Sequence, residues 1–414
     1  MSQRQTPLFA AILTILVVVN IIATHNTLTA PFPGHNDFMS RWAGARSFWL
    51  DGQNPYGEEA SLNIQERIYG RAVREGEDPG YFAYPFYTVF VVWPLVYVDY
   101  AWASALWMVL LEACLIGALL LLLNLYHWRP SPLLLALLLV WSLLDYYAAR
   151  GLILGQPGLL VYFLQILAVW CFAAQPDTRL NNAVAGLALA FSTLKPQMGY
   201  LLLPFLLLWG LRARRWSFLA AFTVAMAALM LLSFVLMPSW LGDWLRQLGN
   251  YSSYTALGSP VWIITQYYLS LGAVGEWAVN LLLYGLMLWA WYTVLVQNKR
   301  ERWLWTVTLT LTITHLVAPR TATPHYVVFA LPLLFYLRTL SQQRKVLWAA
   351  LIVLALLIGT WIHALATVVD RFEHPTVYLP LPLTMLALLL LTRRLWWTRA
   401  PDIFSETVKA RDAA

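Results

Sequence analysis

The sequence predicts an all-α polytopic membrane protein, and three observations lead there. Sixty per cent of the 414 residues are hydrophobic and only 11% are charged, against roughly 25% charged in a soluble domain. Apolar runs of near-spanning length recur along the chain, separated by short polar breaks. The 22 Trp and 21 Tyr exceed what packing requires, and these residues favour membrane–water interfaces, so many interfaces are crossed. A small soluble core is excluded. The net charge of +7 is not a nucleic-acid signature, because the basic residues fall in short clusters between spans, as in cytoplasmic loops beside anionic lipid. Cys114 and Cys171 both lie inside apolar runs, which leaves no disulfide framework and no CxxC site.

Taken in order, residues 7–24 form the first apolar run. Ala23-Thr24-His25 is a poor cleavage site, so the run reads as a retained span with its N-terminus inside. Residues 25–99 form the longest loop and hold most of the acids, among them Asp37, Glu77 and Asp78. Long loops cross regardless of charge, so this one suits the extracytoplasmic side. Within it the stretch His35–Tyr56 organises the rest. Phe38, Trp42, Ala45 and Trp49 recur at helical spacing opposite Ser40, Gly44 and Ser47, which predicts an interfacial helix with its aromatic stripe in lipid, ended by Gly52 and Pro55. Asp37 then stands where the chain leaves the bilayer. It suits two roles: an N-cap, shared with Asn36, or a carboxylate at the mouth of a membrane cavity. The apolar run between Pro85 and Pro94 is too short to span and predicts a second interfacial or re-entrant segment.

Further spans follow at about 100–124, 131–148, 157–174, 183–210, 216–237, 277–297, 303–318, 324–340, 346–366 and 376–392. The third break, Arg150–Gly158, carries Arg150 and Gln156. The 183–210 run is interrupted by Lys195-Pro196-Gln197 and reads as two short helices. A polar and aromatic loop covers 238–276, and Asp370–His374 is a short outer loop. About twelve spans with both termini inside put every strong basic cluster on one side and Asp37, Gln156, Lys195, Arg320 and His325 on the other. The chain reads as a single membrane domain, 1–414, with a tail from 393 too short to fold alone.

Ionisable residues at membrane depth cost roughly 2.5–3.5 kcal/mol and are functional candidates. Lys195 precedes a proline, where the helix must break toward a cavity, and a lysine there suits a phosphate. A pair with Asp145 or Glu112, or snorkelling to a headgroup, is the alternative. Arg320 and His325 flank a second proline-bounded break, APRTATPHY; arginine offers phosphate a bidentate fork and histidine a donor. Arg150 and Gln156 mark the third. Cations suit a phosphate leaving group, and one carboxylate suits a general base on an acceptor hydroxyl. No Gly-rich phosphate loop, HExxH, GxSxG or Cys/His metal spacing is present, so a soluble nucleotide donor is not expected and no cofactor is assigned; a metal stays open, although Asp37 has no DxD neighbour to help hold one.

In order, the chain carries a lone Asp37 after the first span, DGQNPY (Asp51–Tyr56), F-x-YP-x7-PL (Phe82–Leu95), Gly155-Gln156, AG-x8-K-P (Ala185–Pro196) and Pro324-His325-Tyr326. This ordered set, reaching to about residue 340, resembles the glycosyltransferase 87 family of integral-membrane GT-C enzymes. Phe86 departs from it, standing where the family often has a second proline. The resemblance implies inverting transfer of a hexose, with mannose the expectation, from a polyprenyl-phosphate-sugar to a lipid or glycan acceptor outside the cytoplasmic membrane. It implies Asp37 as base and Lys195, Arg320, His325 and Arg150 near the donor phosphate. His35, Arg41, Trp42, Tyr84, Gln156, Gln197 and Tyr326 are expected to contact donor or acceptor. Membrane lipids are the other partners; neither nucleic acid nor an obligatory protein partner is expected. Two rivals stand beside this reading: a transporter or flippase of a lipid-linked anion, whose discontinuous helices would need the same basic breaks, and a non-enzymatic membrane scaffold.

Overall fold

The structure is a computed structural model and describes residues 5–33, 37–74, 77–173, 177–254, 258–319, 321–369 and 372–399. Among these residues every regular element is helical. Five helices are long and apolar enough to cross a membrane: Ala10–Thr29, Tyr100–Leu125, Trp216–Leu236, Gly272–Leu295 and Val346–Thr367. A sixth span results if the bent pair Pro132–Leu144 and Tyr146–Ile153 is taken as one. Their exposure identifies the solvent. Only 6% of the apolar window in Ala10–Thr29 and 17% of that in Val346–Thr367 is buried, against 56% in Tyr100–Leu125. Outward faces carrying Leu, Ile and Val, such as Leu16, Val19, Ile358 and Leu365, are satisfied by lipid and not by water. The protein is a membrane protein.

The chain forms two compact units. The first comprises Met1–Cys114, Leu152–Pro157 and Met230–Thr255. Here the Phe38–Asp51 helix ends at Gly52, as expected. Its aromatic stripe does not face lipid. Phe38, Trp42 and Ala45 are buried, and so are Ser40, Gly44 and Ser47 opposite them. The Glu58–Tyr69 and Thr88–Val92 helices pack against it. Phe38 stacks on Trp107 at 5.0 Å, Trp42 Nε1 donates to Leu95 O at 2.8 Å and Trp49 Nε1 to Val89 O at 3.1 Å. The expected stripe is thus corrected: the long loop folds back and covers it, satisfying both indole N–H groups inside protein. Part of the expected 238–276 loop is also helical. The Trp240–Tyr254 helix is tied to the first loop by Asn54 Nδ2 donating to Asp243 at 2.9 Å.

The second unit comprises Leu115–Gly151, Gly158–Leu229 and Ala256–Ala414. The break expected over Arg150–Gly158 is confined to residues 154–157, and a bend inside the expected 131–148 span precedes it. Pro132–Leu144 and Tyr146–Ile153 meet at 48°, with Asp145 between them accepting Tyr147 N–H at 2.7 Å. That is an N-cap for the second helix, so Arg150 lies inside a helix and not in the break. The lysine break forms as expected: Arg179–Ser192, then a 3-10 turn at Pro196–Met198, then Leu202–Arg212. So does the histidine break, a 3-10 turn over Thr323–Phe329 ahead of Ala330–Gln342.

Candidate functional site

In the first unit, Asp37 occupies the N-cap position of Phe38–Asp51, yet its side chain makes no capping bond. Its carboxylate is half-buried and is not spent on its own helix. The helix start is anchored by backbone, Phe38 N–H donating to Leu154 O at 3.2 Å. The turn that follows Leu154 requires its glycine. Gly155 sits at φ +61°, and a Cβ there would lie 2.7 Å from Phe38 Cβ; Trp107 Nε1 donates to its carbonyl at 2.9 Å. The Gly155-Gln156 motif is therefore packed beside Asp37, with Gln156 buried.

One helical turn on, Arg41 is buried and lies over the Tyr84 ring at 4.0 Å. Tyr84 is held in turn by Tyr56, whose hydroxyl donates to the Tyr84 carbonyl at 2.5 Å. Asp78 is a further acid of the long loop that neighbours this site. Its carboxyl is raised above the usual range, first by loss of water and then by Asp37, against the Gly80 N–H at 2.9 Å and the Arg41 cation. The residue as a whole is exposed, so the charge neighbours, and not deep burial, are what place it beside Asp37. The segment before it is pinned: Arg71 forks onto Glu77 at 2.7 and 2.8 Å, Arg74 N–H adds a bond at 2.8 Å, and together they hold the Glu77 carboxyl at about 2.

In the second unit the lysine and histidine breaks meet on one glycine. A Cβ at Gly158, the first residue of Gly158–Ala173, would lie 3.0 Å from Met198 Sδ and 3.2 Å from His325 Cδ2. Gln165, two turns on, donates to Met198 O at 3.1 Å and fixes the turn that follows Lys195. Lys195 is only 3% exposed and His325 only 1%. Ala322 N–H donates to His325 Nδ1 at 3.3 Å, which places the proton of a neutral ring on Nε2. Gln197 is half-buried in the lysine turn. Tyr326 is buried with its hydroxyl on Tyr378 O at 2.8 Å, a packing position. Of the two acids suggested as partners of Lys195, Asp145 caps its helix and Glu112 accepts from Asn20 Nδ2. His35 and Arg320 lie outside the described residues.

Two groups escaped the sequence reading. His315, in Trp303–Val317, sits with its ring 6.3 Å from His325 and its Nδ1 at 2.9 Å from Leu311 O. Glu373 accepts from Arg150 Nε at 3.2 Å, Thr323 Oγ1 at 2.5 Å, Tyr378 OH at 2.6 Å and Tyr146 OH. Only its position in a short loop was legible; apart from Tyr378, its partners lie 50 or more residues away in sequence. Among the described residues no group of three or more His, Cys, Asp or Glu is arranged to hold a metal ion.

No curated protein and no solved structure matches the chain. A family match spans residues 82–319, more than half of the chain. It takes in Tyr84, Arg150, Gln156, Lys195 and Gln197 and leaves Asp37 and His325 outside. The chain belongs to glycosyltransferase family 87.

Proposed function

We propose that this glycosyltransferase moves a hexose, mannose in the first instance, from a polyprenyl-phosphate-sugar to a lipid or glycan hydroxyl on the extracytoplasmic face of the cytoplasmic membrane. The observation that carries the reading is Asp37: an acid at an N-cap position whose side chain does not cap. As general base it takes the proton of the acceptor hydroxyl. The hydroxyl oxygen then forms a bond to the anomeric carbon from the face opposite the leaving group, the bond from that carbon to the phosphate oxygen breaks, and polyprenyl phosphate departs with the configuration inverted. Negative charge grows on the departing phosphate, where Lys195, the Nε2–H of His325, Arg320 and Arg150 stabilise it. Arg41, Trp42, Tyr84 and His35 serve the acceptor side, Gln156 and Gln197 border the substrates, and Tyr326 supports them from its packing position. This reading keeps about twelve membrane crossings, short helices in the first loop at the interface, and both termini inside.

Family membership favours a transferase over the transporter reading. The test is transfer from radiolabelled polyprenyl-phosphate-mannose to a crude lipid extract by purified protein in lipid. Asp37→Asn keeps the shape and removes the base, and labelled product should vanish while the variant still elutes as folded protein. Full activity in that variant would sink the assignment of the base.

A further inference from the structure

We propose that Glu373 is a positioning residue for the donor-side cations, setting Arg150 and the His325 turn in place without touching substrate. The inference rests on the donor reading given above. A carboxylate offers about four acceptor sites. Most of those on Glu373 are engaged: Oε1 receives Thr323 Oγ1 and Tyr146 OH and pairs with Arg150 Nε at 3.2 Å, and Oε2 receives Tyr378 OH. A carboxylate with four polar partners and a side chain only 8% exposed is turned to its neighbours and away from an incoming ligand. Its chemistry is spent on neighbours.

Which neighbours decides the role. Thr323 begins the 3-10 turn Thr323–Phe329, two residues before His325, so its hydroxyl bond anchors the turn that presents the imidazole. Arg150 stands on the last turn of Tyr146–Ile153, with 36% of its side chain exposed. Glu373 holds its Nε edge, which limits the rotamers a long, flexible cation can visit. Tyr146 and Tyr378 add no charge. They clamp the carboxylate itself, one from the Arg150 helix and the other from the 3-10 turn Pro375–Tyr378. One anion thus sets the placement of two cationic or donor groups that the sequence alone assigned to phosphate. A fold staple would need the same bonds, so the test must separate placement from stability.

The variants are Thr323→Val, which removes one donor with little change of shape, Glu373→Gln, and Glu373→Asp as the conservative rescue. Binding of radiolabelled polyprenyl phosphate and the KM and kcat for the sugar-loaded donor are read beside folded yield and melting temperature. Thr323→Val should weaken polyprenyl phosphate binding about three- to ten-fold and raise donor KM in step, with kcat within about two-fold. Glu373→Gln should do more and Glu373→Asp less. If Glu373→Gln fails to fold, Thr323→Val decides alone. Unchanged binding and KM in a folded Thr323→Val, with at most a lower melting temperature, would reduce Glu373 to a staple and overturn the proposal. Wild-type protein that binds no polyprenyl phosphate would instead overturn the donor reading on which the proposal stands, an outcome distinct from the first.

Discussion

Gly155→Ala joins backbone geometry, packing and chemistry in one substitution. Two penalties add. Alanine at φ +61° enters the left-handed region, at a cost of roughly 1–2 kcal/mol. Its Cβ would also stand 2.7 Å from Phe38 Cβ, whereas carbon atoms rest at about 3.5–4.0 Å, so the two must part by at least about 0.8 Å. Phe38 cannot yield by a rotamer change, because the clashing atom is bonded to its own Cα and its ring is stacked on Trp107. The backbone must move, and Asp37 is the next residue along it. Overpacking of this kind costs about 1–3 kcal/mol, so the total is on the order of 2–5 kcal/mol. A misplacement of 1 Å at a reacting group costs about a hundred-fold in rate, so a shift of this size predicts a loss of at least about ten-fold in turnover of the folded fraction. The assay is melting temperature and transfer rate in lipid nanodiscs, with Gly242→Ala as control, since nothing lies within 4 Å of a Cβ there. Gly155→Ala with wild-type melting and wild-type turnover would refute both the packing argument and the placement of Asp37 by this turn.

Three further outcomes follow from the same geometry. Lys195→Met keeps length and removes charge; a charge-assisted contact is worth roughly 1.5–3 kcal/mol, so polyprenyl phosphate binding should weaken by roughly ten- to hundred-fold, and unaltered binding would exclude Lys195 as a ligand. Asp145→Ala removes the cap on Tyr147 N–H and should cost about 0.5–2 kcal/mol, seen as a lower melting temperature that Asp145→Asn largely restores. Glu77 has a carboxyl depressed to about 2 from 4.5, so its contribution to loop order is complete above about 4.5 and is lost as pH falls toward 2. Hydrogen-exchange protection of the Arg74 amide, corrected for intrinsic rate, should fall over that window, and Glu77→Gln should show the loss already at neutral pH.

Periodicity and punctuation carried much of this structure. Pro196 announced the lysine break and Pro324 the histidine break, because proline removes a donor and clashes with the preceding turn. Gly52 announced the end of the first loop helix. What pattern could not reveal was which partner each side chain meets. The stripe of Phe38 and Trp42 has the same spacing whether it faces lipid or protein, and only the chain folding back over it decides. The bend at Asp145 was missed because an acid inside an apolar run reads as an expensive ion, and its use as a cap depends on a local kink of the backbone. Arg150 read as a free cation for want of any sign that an acid more than two hundred residues later would meet it. Of the candidate residues, Lys195, His325 and Gln156 were legible from their breaks, whereas Asp78 and Glu373 gained meaning only from long-range contact.

The carboxylate of Glu373 also sets a schedule for biogenesis. Tyr146 precedes it by 227 residues, so at about 5–20 residues per second a ribosome takes on the order of 10–45 s to deliver the acid after its first donor has been made. For nearly all of that interval Arg150 stands in a bent helix with no counter-ion from Glu373, and Thr323, made 50 residues before the acid, waits on the order of 2–10 s for its anchor. The second unit therefore cannot complete the arrangement around Glu373 during synthesis of its own early helices. It matures late, when the segment carrying the acid arrives, and a nascent chain halted before residue 373 holds Arg150 and Thr323 without the order that Glu373 imposes on them.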